Sequence, residues 1–313
     1  MNKKLGFIGA LMLTLALLLS ACGNDVEDVT VLTGGEQGVY FPLGVALANN
    51  IINEHVDGVE ASPFTSGASV ANINDLVDGQ GDIALVQNDM AYYAINGIGP
   101  FDEALTGFQG IATLYPEVVQ IITSADSGIE TVEDLVGKRV AVGDIGSGAE
   151  ANANQILAAH GLSYDDIDEE YMAFGDASAN IQDGNIDAAF ITGGLPTGAV
   201  EALRATTDIR LVSINPDKIA ELEAEYPYYT SYTVESDVYG TDADATTVAV
   251  LAMLIVRSDL SEDLVYDITS AMFSNTEQFS NAHQQGTNIT LDTALDGMSI
   301  DVHPGAQRFY DEQ

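Results

Sequence analysis

A short piece of grammar that occurs twice constrains this chain more than any other feature. Ala71-Asn72-Ile73 leads to Asp78-Gly79-Gln80-Gly81-Asp82-Ile83-Ala84, and Ala179-Asn180-Ile181 leads to Asp183-Gly184-Asn185-Ile186-Asp187-Ala188-Ala189. Each copy reads as a helix closed by Asp-Gly and followed by a short apolar strand. Similar elements precede both copies. Val29–Thr33 reads as a strand stopped by Gly34-Gly35, Leu43–Ile52 as a helix with one apolar face, Val59–Thr65 as a strand, and Val70–Val77 as the helix ahead of Ile83–Val86. In the second half, Arg139–Val142, Glu170–Phe174 and Ala188–Ile191 read as strands, with helices over Ala149–His160 and Ser178–Gln182. Two βαβαβ units of similar size predict an α/β fold with two lobes, each a mostly parallel sheet flanked by helices.

Val118–Thr123 lies between the halves and Thr246–Arg257 follows the second. Both read as long buried strands, of the kind that cross between lobes and form a hinge. The expected organisation is lobe one over 28–117 plus 250–313 and lobe two over 118–249.

The N-terminus reads as an export signal over 1–21. Lys3 and Lys4 precede an apolar run, Leu5 to Leu19, that falls short of the about 20 residues a membrane-spanning helix needs. Leu19-Ser20-Ala21-Cys22 then resembles a bacterial lipobox, with Cys22 as the lipidated residue and 22–28 as a tether. Cys22 is the only cysteine, so no internal disulfide is possible. The expected location is outside the cytoplasmic membrane, held there by lipid.

Acidic residues number 48 against 9 basic, for a formal net charge of −39. Nucleic acid is excluded as a partner, because phosphate contacts need Lys and Arg. Two readings of the acidity remain, a divalent-binding surface or adaptation to salt. The acids are scattered, as in Asp165-Asp166-Ile167-Asp168-Glu169-Glu170, which favours a solvated coat over metal cages.

Ligands of open α/β sheets sit beyond the carboxyl ends of the strands. Those ends carry Gly34–Tyr40, Thr65–Ser69, Gln87-Asn88-Asp89, Gly146-Ser147-Gly148 and Thr192–Thr197, all rich in Gly, Ser and Thr. Small residues let backbone amides approach a ligand, and helix N-termini add free donors and a positive partial charge. The candidate ligand-binding residues are Gly38, Tyr40, Thr65, Ser69, Asn88, Ser147, Gly148, Gly194 and Pro196, with a small carboxylate as ligand. Ser69 and Ser147 sit where either helix capping or ligand contact is possible. Tyr40 is placed to close over an aliphatic part of the ligand.

Enzyme signatures are weak, and no catalytic residue, metal ligand or cofactor is assigned. Ser69 and Ser147 lack the flanking glycines of a nucleophile elbow, the four histidines are dispersed, and no P-loop or dinucleotide fingerprint occurs.

Several segments in order resemble the solute receptors of TRAP transporters of the TAXI type. They are Thr33-Gly34-Gly35 with Gly38-Val39-Tyr40-Phe41-Pro42-Leu43-Gly44, Thr65–Asn72, Asn96–Phe101, Asp134–Val140, Gly146-Ser147-Gly148, Gly194–Thr197 and His303–Ala306. The resemblance implies a type II periplasmic-binding fold that closes about a hinge. It implies glutamate, glutamine or a dicarboxylate such as 2-oxoglutarate as ligand, and delivery to fused TRAP membrane subunits. It also implies that Tyr40, Ser69, Ser147 and the Gly194–Pro196 turn line the site. Glu36 and Gln37 depart from the small first loop of that family, and Glu36 would oppose an acidic ligand side chain. The alternatives are an ABC-type receptor of the same fold and a lipid-anchored serine hydrolase acting through Ser147 or Ser69.

Overall fold

A computed structural model describes residues 26–313. The signal over 1–21, Cys22 and the start of the tether lie outside the described residues. The strands are β1 (Glu27–Leu32), β2 (Val59–Phe64), β3 (Ile83–Gln87), β4 (Phe108–Ser124), β5 (Arg139–Gly143), β6 (Asp168–Tyr171), β7 (Ala188–Gly193), β8 (Ile209–Leu211), β9 (Thr230–Val234) and β10 (Ala245–Arg257). The helices used below are α1 (Tyr40–Val45), α2 (Ser69–Val77), α3 (Asn88–Asn96), α4 (Gly148–Ala159), α5 (Phe174–Gln182), α6 (Gly198–Arg204) and α7 (Pro216–Glu225). The helix expected over Leu43–Ile52 begins as α1 and continues through a π-helical stretch, Ala46–Ile52.

The strands form one sheet in the order β2-β1-β3-β10-β4-β7-β5-β6, with β8 beside β4 and β9 beside β10. The two predicted parallel triplets are present, β2-β1-β3 and β7-β5-β6. They do not stand as separate sheets. The antiparallel pair β4–β10 joins them into one mixed sheet. Ile111, Ala112, Leu254 and Val256 feed a core on the β3 side, and Val119, Ile121, Val248 and Val250 feed another on the β7 side.

The strand expected over Glu170–Phe174 is displaced. Its only partner is β5, whose ladder ends where Gly143, at φ 105°, pairs with Tyr171 and turns away. With nothing further to pair with, the chain leaves the sheet, and Phe174 opens α5.

The repeated Asp has a structural reason. Asp82 accepts the Thr30 amide at 2.8 Å and Asp187 accepts the Arg139 amide at 2.9 Å, so each ties the start of its own strand to a neighbouring strand. Each also takes an arginine, Arg257 at 3.1 Å and Arg139 at 2.6 Å. Charge-assisted bonds of this kind are worth about 1.5–3 kcal/mol. Replacing Asp82 or Asp187 by Asn is expected to destabilise the fold by about 1–3 kcal/mol in urea unfolding, without changing any residue at the opposite end of the sheet.

Candidate functional site

At the carboxyl ends of β1, β3, β5 and β7 a cavity opens between the two halves of the sheet, with about 390 Å³ of free space including its mouth. One wall is Gly34 to Tyr40 and the α2 N-terminus at Ala68-Ser69. The other is Ser147-Gly148-Ala149, Phe174 and Thr192-Gly193. Gln87 and Glu117 line it as well.

The local sequence explains these positions. Ser147 is the N-cap of α4, its hydroxyl accepting the Glu150 amide at 3.1 Å, while its own amide donates to Asp144 O at 3.0 Å. The next two amides, of Gly148 and Ala149, are at helix positions with no backbone acceptor, and they have no partner among the described residues. Gly148 is required by close approach, since a Cβ there would run into the Gln87 carboxamide. Ser69 Oγ accepts the Gln87 amide at 3.0 Å. Ala68, at φ 67° and ψ −147°, holds the turn into α2 in a conformation other side chains rarely adopt.

The strongest feature was not anticipated from sequence. Glu117, in the middle of β4, is 3% exposed and lines the cavity. The Tyr40 hydroxyl donates to its Oε2 at 2.8 Å. So Tyr40 is engaged with a carboxylate, beside whatever packing it offers a ligand. Burial pushes the Glu117 carboxyl up to about 8, against the lowering effect of the Tyr40 bond. No Lys, Arg or His lines the cavity. Six of the seven basic side chains beyond residue 25 form ion pairs with other acids, and Lys138 sits beside Arg139 at the far end of β5. Gln87 Oε1 and Thr192 Oγ1, both in the cavity lining, are buried without hydrogen-bond partners.

Of the sequence-derived candidates, Gly38, Tyr40, Ser69, Ser147 and Gly148 line this cavity, whereas Thr65, Asn88, Gly194 and Pro196 do not. Thr65 is exposed, just beyond β2. The Asn88 side chain binds the backbone of Gly297 and Leu251 instead. Gly194 packs against Tyr115 and Gln285, and Pro196 offers its carbonyl to His283. Glu36 is exposed and lines an outer groove. A signal for the missed residues was present. Gln87 and Thr192 stand at the same distance after the repeated Asp82 and Asp187, and Glu117 is the one acid inside an otherwise apolar run.

A family model described as NMT1-like matches residues 31–313. The chain belongs to the NMT1-like family. A putative aliphatic sulfonates-binding protein of Escherichia coli K12 is 32% identical over 107 residues, a match that spans 33% of each chain. The match therefore covers about a third of the length of that curated relative. Among solved structures, the NMT1-like chain is similar to the alkanesulfonate-binding protein SsuA from Xanthomonas axonopodis pv. citri bound to MOPS, with a TM-score of 0.54 at 16% identity over 91% of this chain and 84% of that one. It is also similar to the periplasmic binding protein BugD, with a TM-score of 0.59 at 12% identity over 91% and 95% of the two chains. These likenesses establish the periplasmic-binding-protein fold. Among the described residues, no helix is long and apolar enough to cross a membrane, and no cluster of three or more His, Cys, Asp or Glu is placed to hold a metal.

Glu117 gives this NMT1-like chain a testable pH signature. Its native carboxyl titrates near 8, while an unfolded Glu titrates near 4.3. The contribution to stability is therefore full below about 4.3 and is lost as pH rises through about 8. Thermal unfolding of wild type and Glu117→Gln between pH 5 and 9 should show the variant gaining on wild type as pH rises, by up to about 1.4 kcal/mol per unit.

Proposed function

We propose that this chain is an exported solute receptor whose ligand is a small carboxylate carrying a protonated nitrogen, an amino acid such as glutamate or glutamine. The observation that carries this reading is one cavity that combines free helix-terminal amides with a buried carboxylate and contains no basic side chain. The amides of Gly148 and Ala149 suit a carboxylate, because the α4 N-terminus offers both donors and a positive partial charge. Glu117, with Gln87 Oε1 and Thr192 Oγ1, suits an ammonium: an ionised carboxylate is costly to bury until a cation meets it. Between the amino acids and the 2-oxo acids that the sequence resemblance implies, Glu117 favours the amino acids.

In this reading residues 28–117 with 250–313 form one lobe and 118–249 the other, hinged where β4 and β10 cross between them. Solute stabilises the closed form because only there do both lobes touch it. Cys22 anchors the receptor by lipid. The TAXI-like segments support a TRAP-type membrane partner that takes the solute on. Names such as that of the Escherichia coli relative favour a second reading, a sulfonate ligand. A sulfonate without a nitrogen would give Glu117 no ammonium to pair with and leave it protonated below about pH 8.

Calorimetry with L-glutamate, L-glutamine, 2-oxoglutarate and ethanesulfonate separates these readings. At pH 8.5, where Glu117 is largely ionised, the amino acids should bind at least about 30-fold tighter than the two anions that lack nitrogen, the cost of leaving one member of a buried charge pair alone. Glu117→Gln should remove most of that preference. Binding of ethanesulfonate alone would establish the sulfonate reading, and chemical conversion of any solute would sink the receptor reading.

A further inference from the structure

Glu117 has a cavity in front of it, but Asp89 does not. Asp89, the second residue of α3, is 1% exposed and lies outside the cavity lining. Its Oδ1 accepts the Met90 amide at 2.9 Å, and its Oδ2 accepts from Asn152 Nδ2 of α4 at 3.2 Å. Asn152 also donates to the Tyr229 hydroxyl at 2.8 Å, and that hydroxyl donates to Gln155 Oε1 at 2.6 Å. Gln155 Nε2 returns to the Tyr93 hydroxyl of α3 at 3.4 Å. A belt of buried polar side chains thus ties α3, beside β3, to α4, beside β5.

No cation belongs to this belt. The titratable groups facing Asp89 are Tyr93 on its own helix, Tyr228 and Tyr229 from the loop ahead of β9, and Glu117 on β4, and none of them is basic. From α4 the contacts are neutral amides. Burial pushes the Asp89 carboxyl up to about 7. The Met90 amide and Asn152 donate to the carboxyl and oppose that effect, but no cation offsets the burial.

We infer that Asp89 is a proton-operated latch: closing the two halves on each other takes up a proton at its carboxyl, and losing that proton loosens the closed form. The inference rests on the hinged-receptor reading and adds the regulation of its closure. When the halves part, Asp89 meets water and returns to the ordinary aspartate range near 3.9. The closed form then holds more protons than the open form between about pH 4 and 7. Closure is favoured as pH falls across that window, weakens up to tenfold per unit as pH rises, and levels off above about 7. A ligand ammonium cannot replace the proton, because Asp89 does not reach the cavity.

The test needs no solute. In a Cys22→Ser background, spin labels at Glu60→Cys and Glu170→Cys, exposed positions on the outer strands β2 and β6, report the spread of the sheet by pulsed dipolar spectroscopy. The ratio of short to long distances in wild type should be at least about tenfold higher at pH 5 than at pH 8.5. In Asp89→Asn that tenfold contribution should be lost, leaving only the part that Glu117 adds, and in Asp89→Asn with Glu117→Gln the ratio should be independent of pH. Asn152→Ala, which cuts the cross-link and leaves the carboxyl in place, should lower the ratio at pH 5. Identical wild-type distances at both pH values overturn the latch, and so does an undiminished pH response in Asp89→Asn. Distances that respond to L-glutamate but not to pH would overturn the latch and leave the receptor standing. Distances that respond to neither would overturn the hinge itself.

Discussion

The antiparallel ladder between β4 and β10 is the constraint on which the rest of the structure depends. It runs from Arg257 opposite Phe108 to Ala249 opposite Val118, and along it each strand leaves one hydrophobic core and enters the other. The change-over falls at Tyr115-Pro116-Glu117, where the register slips between Leu251 and Met253. A proline lacks the N–H that a central strand would use, so a slip in the ladder is where it is tolerated. Glu117 is buried because it occupies this crossing. Its backbone is held in the ladder opposite Val250, and its side chain, 3% exposed, lines the cavity.

The second constraint is electrostatic. The chain has so few basic residues that its outer ion pairs use nearly all of them. Arg139 and Arg257 go to the starts of strands, at the end of the sheet away from the cavity. The cleft is left without a cation. Any anion held there would have to be met by fixed backbone dipoles at contact distance, which a screened surface charge does not cancel. For the same reason the two buried acids, Glu117 and Asp89, have only neutral partners in the protein, a tyrosine hydroxyl and an amide.

The fold was legible because the repeat and the Gly-rich loops are local signals. The strand starts, the Asp-Gly helix ends and the N-caps each depend on a few adjacent residues, and most were read within a residue or two. What sequence did not reveal was how the parts pair. β6 ends at Tyr171 because its neighbour β5 turns away at Gly143, and nothing within Glu170–Phe174 announces that. The site was legible where backbone defines it, at Gly38, Ser147 and Gly148, and illegible where side-chain direction does. Asn88 and Gln87 are adjacent and equally polar. Gln87 ends a strand and faces the cavity, whereas Asn88 opens a helix and faces β10. Thr65, Gly194 and Pro196 lie on the predicted loops but outside the cavity, because a loop has more than one side.

The repeat itself indicates where structure ends and specificity begins. Asp82 and Asp187 make the same backbone bond and the same arginine contact, so this part of the grammar serves folding in both halves. Counting forward equally from each, Gln87 and Thr192 both line the cavity, each with an unpartnered oxygen. They share a position but differ in reach. Two residues further on the halves diverge altogether. One places Asp89 in a buried belt, and the other places Gly194 against Tyr115 and Gln285, where a side chain would collide. Two copies of one unit facing each other across a cleft would present the same chemistry twice and suit a symmetric ligand. A ligand with a carboxylate at one end and an ammonium at the other, as proposed above, requires the copies to differ, and they differ at the strand ends that line the cavity.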